Sequence, residues 1–106
     1  MSEQGLVKRL ATSLTPLLVL HVLDKFGELH GYLIAKKLRN IVKFHLSLST
    51  LYPLLKRLEG DGYITGKWVL SKGRSARIYR ITEKGRSALK AAKEFLSKRL
   101  SEVLFR

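Results

Sequence analysis

The chain has 106 residues, enough for one domain with a modest core. It has no cysteine, which excludes disulfides, thiolate catalysis and cysteine-ligated zinc and fits an intracellular protein. Its 21 Lys and Arg against 8 Asp and Glu leave a net charge of +13, the footprint of a protein with a polyanion partner. The excess is uneven: residues 1–35 are net neutral, whereas 36–59 carry +5 and 60–82 and 83–106 carry +4 each.

Leu6, Val7, Leu10 and Leu14 recur at helical spacing and predict an N-terminal amphipathic helix over residues 1–14. Lys8 and Arg9 before the run LTPLLVLHVL resemble the start of a signal peptide, but no small-residue cleavage site follows. The run is also far short of the ~20 apolar residues of a membrane span. It is therefore expected to be a buried helix of a cytoplasmic protein without a membrane partner. Thr15 is the expected N-cap, Pro16 the first helical residue and Gly27 the stop after about Phe26.

A second helix is predicted over Gly31–Arg39, with Ile34, Ala35 and Leu38 inside, followed by a connector from Asn40 to Leu46. In the third, LSLSTLYPLLKRLEGDGYI, the residues Leu51, Leu54, Leu55 and Leu58 fall at i, i+3, i+4 and i+7. Ser47 or Ser49 caps its start; with Ser49 as cap, Pro53 lies in the first turn, where its missing N–H costs little. YITGKWVL and ARIYRIT read as strands joined by the turn SKGRS. Thr82 then caps a last helix with Glu83 in its first turn and room to run to Phe105, over ~30 Å at 1.5 Å per residue.

Three helices followed by a hairpin make a mainly α chain with a β-hairpin (α+β): a winged helix-turn-helix at residues 15–82, with a long C-terminal dimerisation helix over 83–106. Opposite the leucine stripe, the third helix presents Ser49, Pro53 and Lys56, flanked by Thr50, Tyr52 and Arg57. Hydroxyls, a phenol and cations at a helix N-terminus suit entry into a DNA major groove, against the plainer reading of a solvated face. Lys72, Arg74 and Arg77 around Gly73 form a basic hairpin tip suited to the backbone or the minor groove. Leu89, Ala92, Leu96, Leu100 and Val103, broadened by Phe95, form a seam expected to pair with a second copy, or else to fold back on the first helix. A homodimer would address a two-fold symmetric operator in double-stranded DNA.

His21, His30 and His45 have no metal-ligand spacing, and no catalytic triad or phosphate-cradling glycine loop stands out. Neither an enzyme, a cofactor nor a metal is expected. Two other binding readings stay open: a non-specific coating protein of nucleic acid, and a protein adaptor that no longer binds DNA.

PLLVLHVL, HGYLIAKKL, LSLSTLYPLLKRLEGDGYI, KW and GRSARIYRITEKGRSAL, from about Pro16 to Leu89, together resemble the PadR-type transcriptional regulators, named for the phenolic acid decarboxylase repressor. The resemblance implies a dimeric winged-helix repressor of the short subclass with a single C-terminal dimerisation helix. It implies that Ser49, Thr50 and Tyr52, with Lys56 beside them, read or clamp DNA, and that the wing around Arg74 and Arg77 touches backbone or minor groove. Gly31 would open the second helix and Tyr32 would pack near the core. Two departures stand out: Ser49 replaces a glycine frequent in relatives, and the only tryptophan, Trp68, lies on the hairpin instead of the dimer helix, where some relatives stack flat drugs. A small-molecule inducer is thus left open.

Overall fold

The computed structural model describes all 106 residues. Ser2 caps the first helix by accepting the Gly5 amide at 3.0 Å, and α1 spans Glu3–Ser13. The second helix, α2, spans Thr15–Phe26 and is bent from α1 by 55°. Thr15 is not the cap the sequence suggests. Leu14 holds that position in a helical conformation, and the Thr15 hydroxyl bonds back to the Ala11 carbonyl at 3.2 Å. Pro16 causes the bend, because it has no amide to continue the ladder and its ring crowds the preceding turn. Gly27 ends α2 at φ +80°, a conformation that disfavours any side chain.

Leu29–His30 forms a short strand, β1, which the sequence pattern does not reveal. The next helix, α3 (Gly31–Val42), runs beyond the expected stop at Arg39 and closes on Lys43 in the left-handed region. Helix α4 covers Leu48–Gly60, and Gly62 at φ +84° turns the chain into the hairpin. Strands β2 (Ile64–Ser71) and β3 (Arg74–Ile81) pair in register from Ile64↔Ile81 to Ser71↔Arg74. Only Lys72 and Gly73 remain as the turn, both with positive φ, the tight geometry that matches strand twist. β1 joins the free side of β3 through Leu29↔Tyr79 and His30↔Ile78, giving an antiparallel sheet of order β1-β3-β2.

Thr82 caps α5 (Glu83–Glu94) as expected: its hydroxyl oxygen accepts the Gly85 amide at 3.0 Å and its O–H donates to the Gly62 carbonyl at 2.6 Å. Gly85 is tightly confined, since a Cβ there would collide with the Tyr63 carbonyl oxygen and Ile81. The helix passes through a wider π-type turn at Phe95–Leu100 and ends with α6 (Ser101–Leu104). No single helix is long and apolar enough to cross a membrane.

One core holds these elements together. Val19, Val22 and Leu23 of α2 meet Ile34, Ala35 and Leu38 of α3, Leu51 and Leu55 of α4, and Ile64 and Ile81 of the sheet. Burial of these side chains at period 3.6 on helices and 2 on strands is what orients α4 and the hairpin outward. Leu89 belongs to this core as well, at 3 % exposure, so it is not part of an exposed seam. Beyond it no residue of the C-terminal helix is buried, and α1 has no buried residue either.

Candidate nucleic-acid interface

The leucine stripe of α4 turns inward, with Leu51, Leu55 and Leu58 buried, which leaves Ser49, Thr50, Tyr52, Pro53, Lys56 and Arg57 all exposed on the other side. Ser47, and not Ser49, is the cap: its oxygen accepts the Thr50 amide at 3.2 Å. Its hydroxyl also shares hydrogen bonds with those of Ser49 at 3.0 Å and Thr50 at 2.9 Å. Pro53 consequently lies past the first turn, inside the helix. It removes the amide that would bond the Ser49 carbonyl, so this exposed helix start carries a free acceptor beside three hydroxyls.

Tyr52 is set by a glycine. A Cβ on Gly31 would come 2.6 Å from Tyr52 Cε1, so only glycine lets the phenol ring lie across the start of α3. Tyr32, expected near the core, is instead exposed, on a face of α3 turned away from the buried Ile34, Ala35 and Leu38.

The hairpin is tied to α4 by charge. Arg77 donates to Glu59, Nη2 to Oε2 at 2.5 Å and Nε to Oε1 at 3.4 Å, and the Gly66 amide donates to the same carboxylate at 3.2 Å. Gly66 has no side chain to block the guanidinium, which would sit 2.8 Å from a Cβ there. Arg77 also packs over its cross-strand partner Trp68, 5.3 Å from the ring centroid. The hydrogen bond to Glu59 holds the guanidinium above its ordinary value, and burial pushes the Tyr79 phenol up. Of the three wing cations expected at the tip, Arg77 is paired with Glu59 midway along β3, whereas Lys72 lies in the turn and Arg74 beside it.

Lys56, Arg57, Lys72 and Arg74 make no ion pair; Lys67, Arg77, Arg86 and Arg106 hold the acids that are paired. The exposed face of α4 and the hairpin tip therefore both carry uncompensated positive charge. Between them runs an open groove of about 1190 Å³, bordered by Tyr52 and Lys56 on one side and by Trp68 and Ser75–Arg77 on the other. The sequence carried one overlooked signal for the Arg77–Glu59 pair: Glu59 is the only acid among residues 36–59. No signal of that kind marked Gly31 beneath Tyr52.

Of the seam, Phe95 and Val103 are exposed and Ala92, Leu96 and Leu100 half-buried. Leu6, Val7 and Leu10 of α1 are exposed too. Two apolar helical faces are thus left without cover inside one chain.

The model of the PadR-like transcriptional regulator family matches residues 19–91. The chain is 37 % identical over 87 residues to the transcriptional regulator Rv3488 of Mycobacterium tuberculosis, covering 80 % of each. A PadR-family regulator from Eggerthella lenta has the same fold, with a TM-score of 0.75 at 27 % identity over 95 % of this chain and 90 % of that one. Bacillus subtilis PadR, solved in complex with operator DNA, gives a TM-score of 0.65 at 28 % identity over 72 % of this chain and 44 % of its own length. These matches agree with the winged helix-turn-helix and with a regulator instead of an enzyme, and the chain belongs to the PadR-like family of transcriptional regulators.

Proposed function

We propose that the chain is a sequence-specific repressor that binds double-stranded DNA as a homodimer in the cytoplasm. The carrying observation is the one exposed face of α4, where Ser49, Thr50 and Tyr52 are open to solvent and Lys56 has no ion-pair partner. The hydroxyls and Tyr52 bond phosphates or base edges, and Lys56 contacts phosphate or guanine. Lys72 and Arg74 reach the backbone or the minor groove from the hairpin tip, and Arg77 keeps the hairpin in position for them. Residues 15–82 are the DNA-reading unit. The exposed faces of α1 and of the C-terminal helix cover each other across a two-fold axis, as apolar stripes of this size do when a second copy is present. Two such units would address half-sites ~10 bp apart or a multiple of it.

Binding of the DNA upstream of this gene, against a scrambled duplex at ~150 mM salt, tests the reading. Preference of ~10³ or more is the expected result for a regulator. Equal, steeply salt-dependent binding to this and to fragments selected genome-wide would instead mean a coating protein, which the exposed Lys90, Lys93, Lys98 and Arg99 of the last helix favour.

A further inference from the structure

The backbone takes a positive φ at Lys43 and Lys72 and at the glycines Gly27, Gly62 and Gly73. A positive φ crowds the Cβ of an L residue, so glycine or asparagine is the natural occupant. At three of these positions the chain follows that rule. At the other two it holds lysine, which gains nothing from the turn itself. Both lysines are exposed, and neither has an ion-pair partner. A strained residue persists where its side chain serves something other than the fold. Lys72 has such a use at the hairpin tip, among the proposed duplex contacts.

The position of Lys43 points the same way. It closes α3, its amide donating to the Arg39 carbonyl at 2.9 Å, a bond that needs no side chain. Only Phe44, His45 and Leu46 separate it from the Ser47 cap of α4. At most ~14 Å of chain therefore lies between Lys43 and the hydroxyls at the start of α4. Phe44 and Leu46 are half-buried and Leu46 packs on the core, which fixes the connector and leaves Lys43 outside. No acid occurs from Lys36 to Leu58 to neutralise it locally.

We propose that Lys43 is a further duplex contact: its ammonium pairs with a backbone phosphate beside the start of α4, and the fold keeps a strained turn to hold it there. The inference rests on the proposed DNA reading. A phosphate contact carries no base information, so Lys43 adds affinity for every sequence alike. Asparagine at this position relaxes the turn and removes the charge, so stability and binding move in opposite directions.

Urea unfolding and duplex titration of the full chain, as parent, Lys43→Asn, Lys43→Arg and Lys25→Gln, test this. Lys43→Asn is expected to unfold at higher urea than the parent. Its affinity for the upstream and the scrambled duplex falls by the same factor, about fivefold at ~150 mM salt. Its plot of log affinity against log salt is shallower by about 0.9. Lys43→Arg keeps the charge and binds within about twofold of the parent. Lys25→Gln removes one charge at the end of α2 and leaves the salt slope within about 0.2. An unchanged slope in Lys43→Asn overturns the contact, as does an equal loss in Lys43→Arg or Lys25→Gln. A Lys43→Asn protein no more stable than the parent overturns the strain. A parent that binds both duplexes equally sinks the sequence-specific reading but leaves the Lys43 contact legible in the slope. A parent that binds no duplex sinks both.

Discussion

Arg77 of β3 and Glu59 of α4 are joined by two hydrogen bonds, and the same carboxylate accepts the Gly66 amide of β2. A helix and both strands of a hairpin therefore meet on one side chain. The wing needs such a tie, because a two-stranded ribbon extending past the core is marginally stable by itself. Glu59→Gln keeps the shape and removes the charge. It is expected to leave the helical content unchanged and to lower duplex affinity by roughly three- to tenfold, through loss of a preorganised wing. Circular dichroism and a fluorescence-anisotropy titration check the two parts; unchanged affinity would mean the tie is dispensable.

Gly31 and Tyr52 give a second, more discriminating test. Gly31→Ala forces the Tyr52 ring off its seat, but the ring is half-exposed and swings into solvent, so stability should change by less than about 1 kcal/mol. Operator affinity should fall, as it does for Tyr52→Ala. In the double variant the Gly31 change should add almost nothing, because its effect passes through the ring. A full additive loss in this cycle would assign Gly31 some other role.

Leu89 and Leu96 lie on one helix, two turns apart, and should fail in different ways. Leu89→Ala empties a core position and should cost about 2–5 kcal/mol in denaturant unfolding. Leu96→Glu touches no core and should convert the proposed dimer to a folded monomer in light scattering, with operator binding lost. A dimeric Leu96→Glu protein would move the interface to α1 alone.

Tyr79 predicts an alkaline effect. Burial raises its phenol in the folded chain, so ionisation begins first in the unfolded chain, near the ordinary value of about 10. The stability tied to the neutral phenol is complete below about pH 10 and is lost as pH rises through the higher folded value. Thermal unfolding of Tyr79→Phe should therefore fall less steeply between about pH 9 and pH 11 than that of the parent protein. Parallel curves would show that the phenol ionises equally in both states.

Most helices, the hairpin and the polar face of α4 were legible in the residues, because each rests on local rules. Leucines at 3.6 spacing, Gly27 after an apolar run, and Thr82 before Glu83 act within a few neighbours, whatever the rest of the chain does. The same local rules misplaced the cap at Thr15, where helical continuity through Leu14 overrode it, and left Ser47 and Ser49 as equivalent caps of α4, of which the structure uses Ser47.

Contacts between distant residues followed no such rule. β1 exists only because β3 offers it an edge, and two residues carry no periodic signal. Leu89 and Leu96 are indistinguishable as sequence; the start of α5 packs on α2 and its continuation does not, and this alone makes one a core residue. Arg77 was one of three cations around a glycine until Glu59, 18 residues away in sequence, took it out of that set. Composition and local periodicity determined the class of molecule and the face it presents. Which charges on that face remain free, and that four aromatic rings share a groove there, were decided by long-range packing, because burial and ion pairing depend on separation in space.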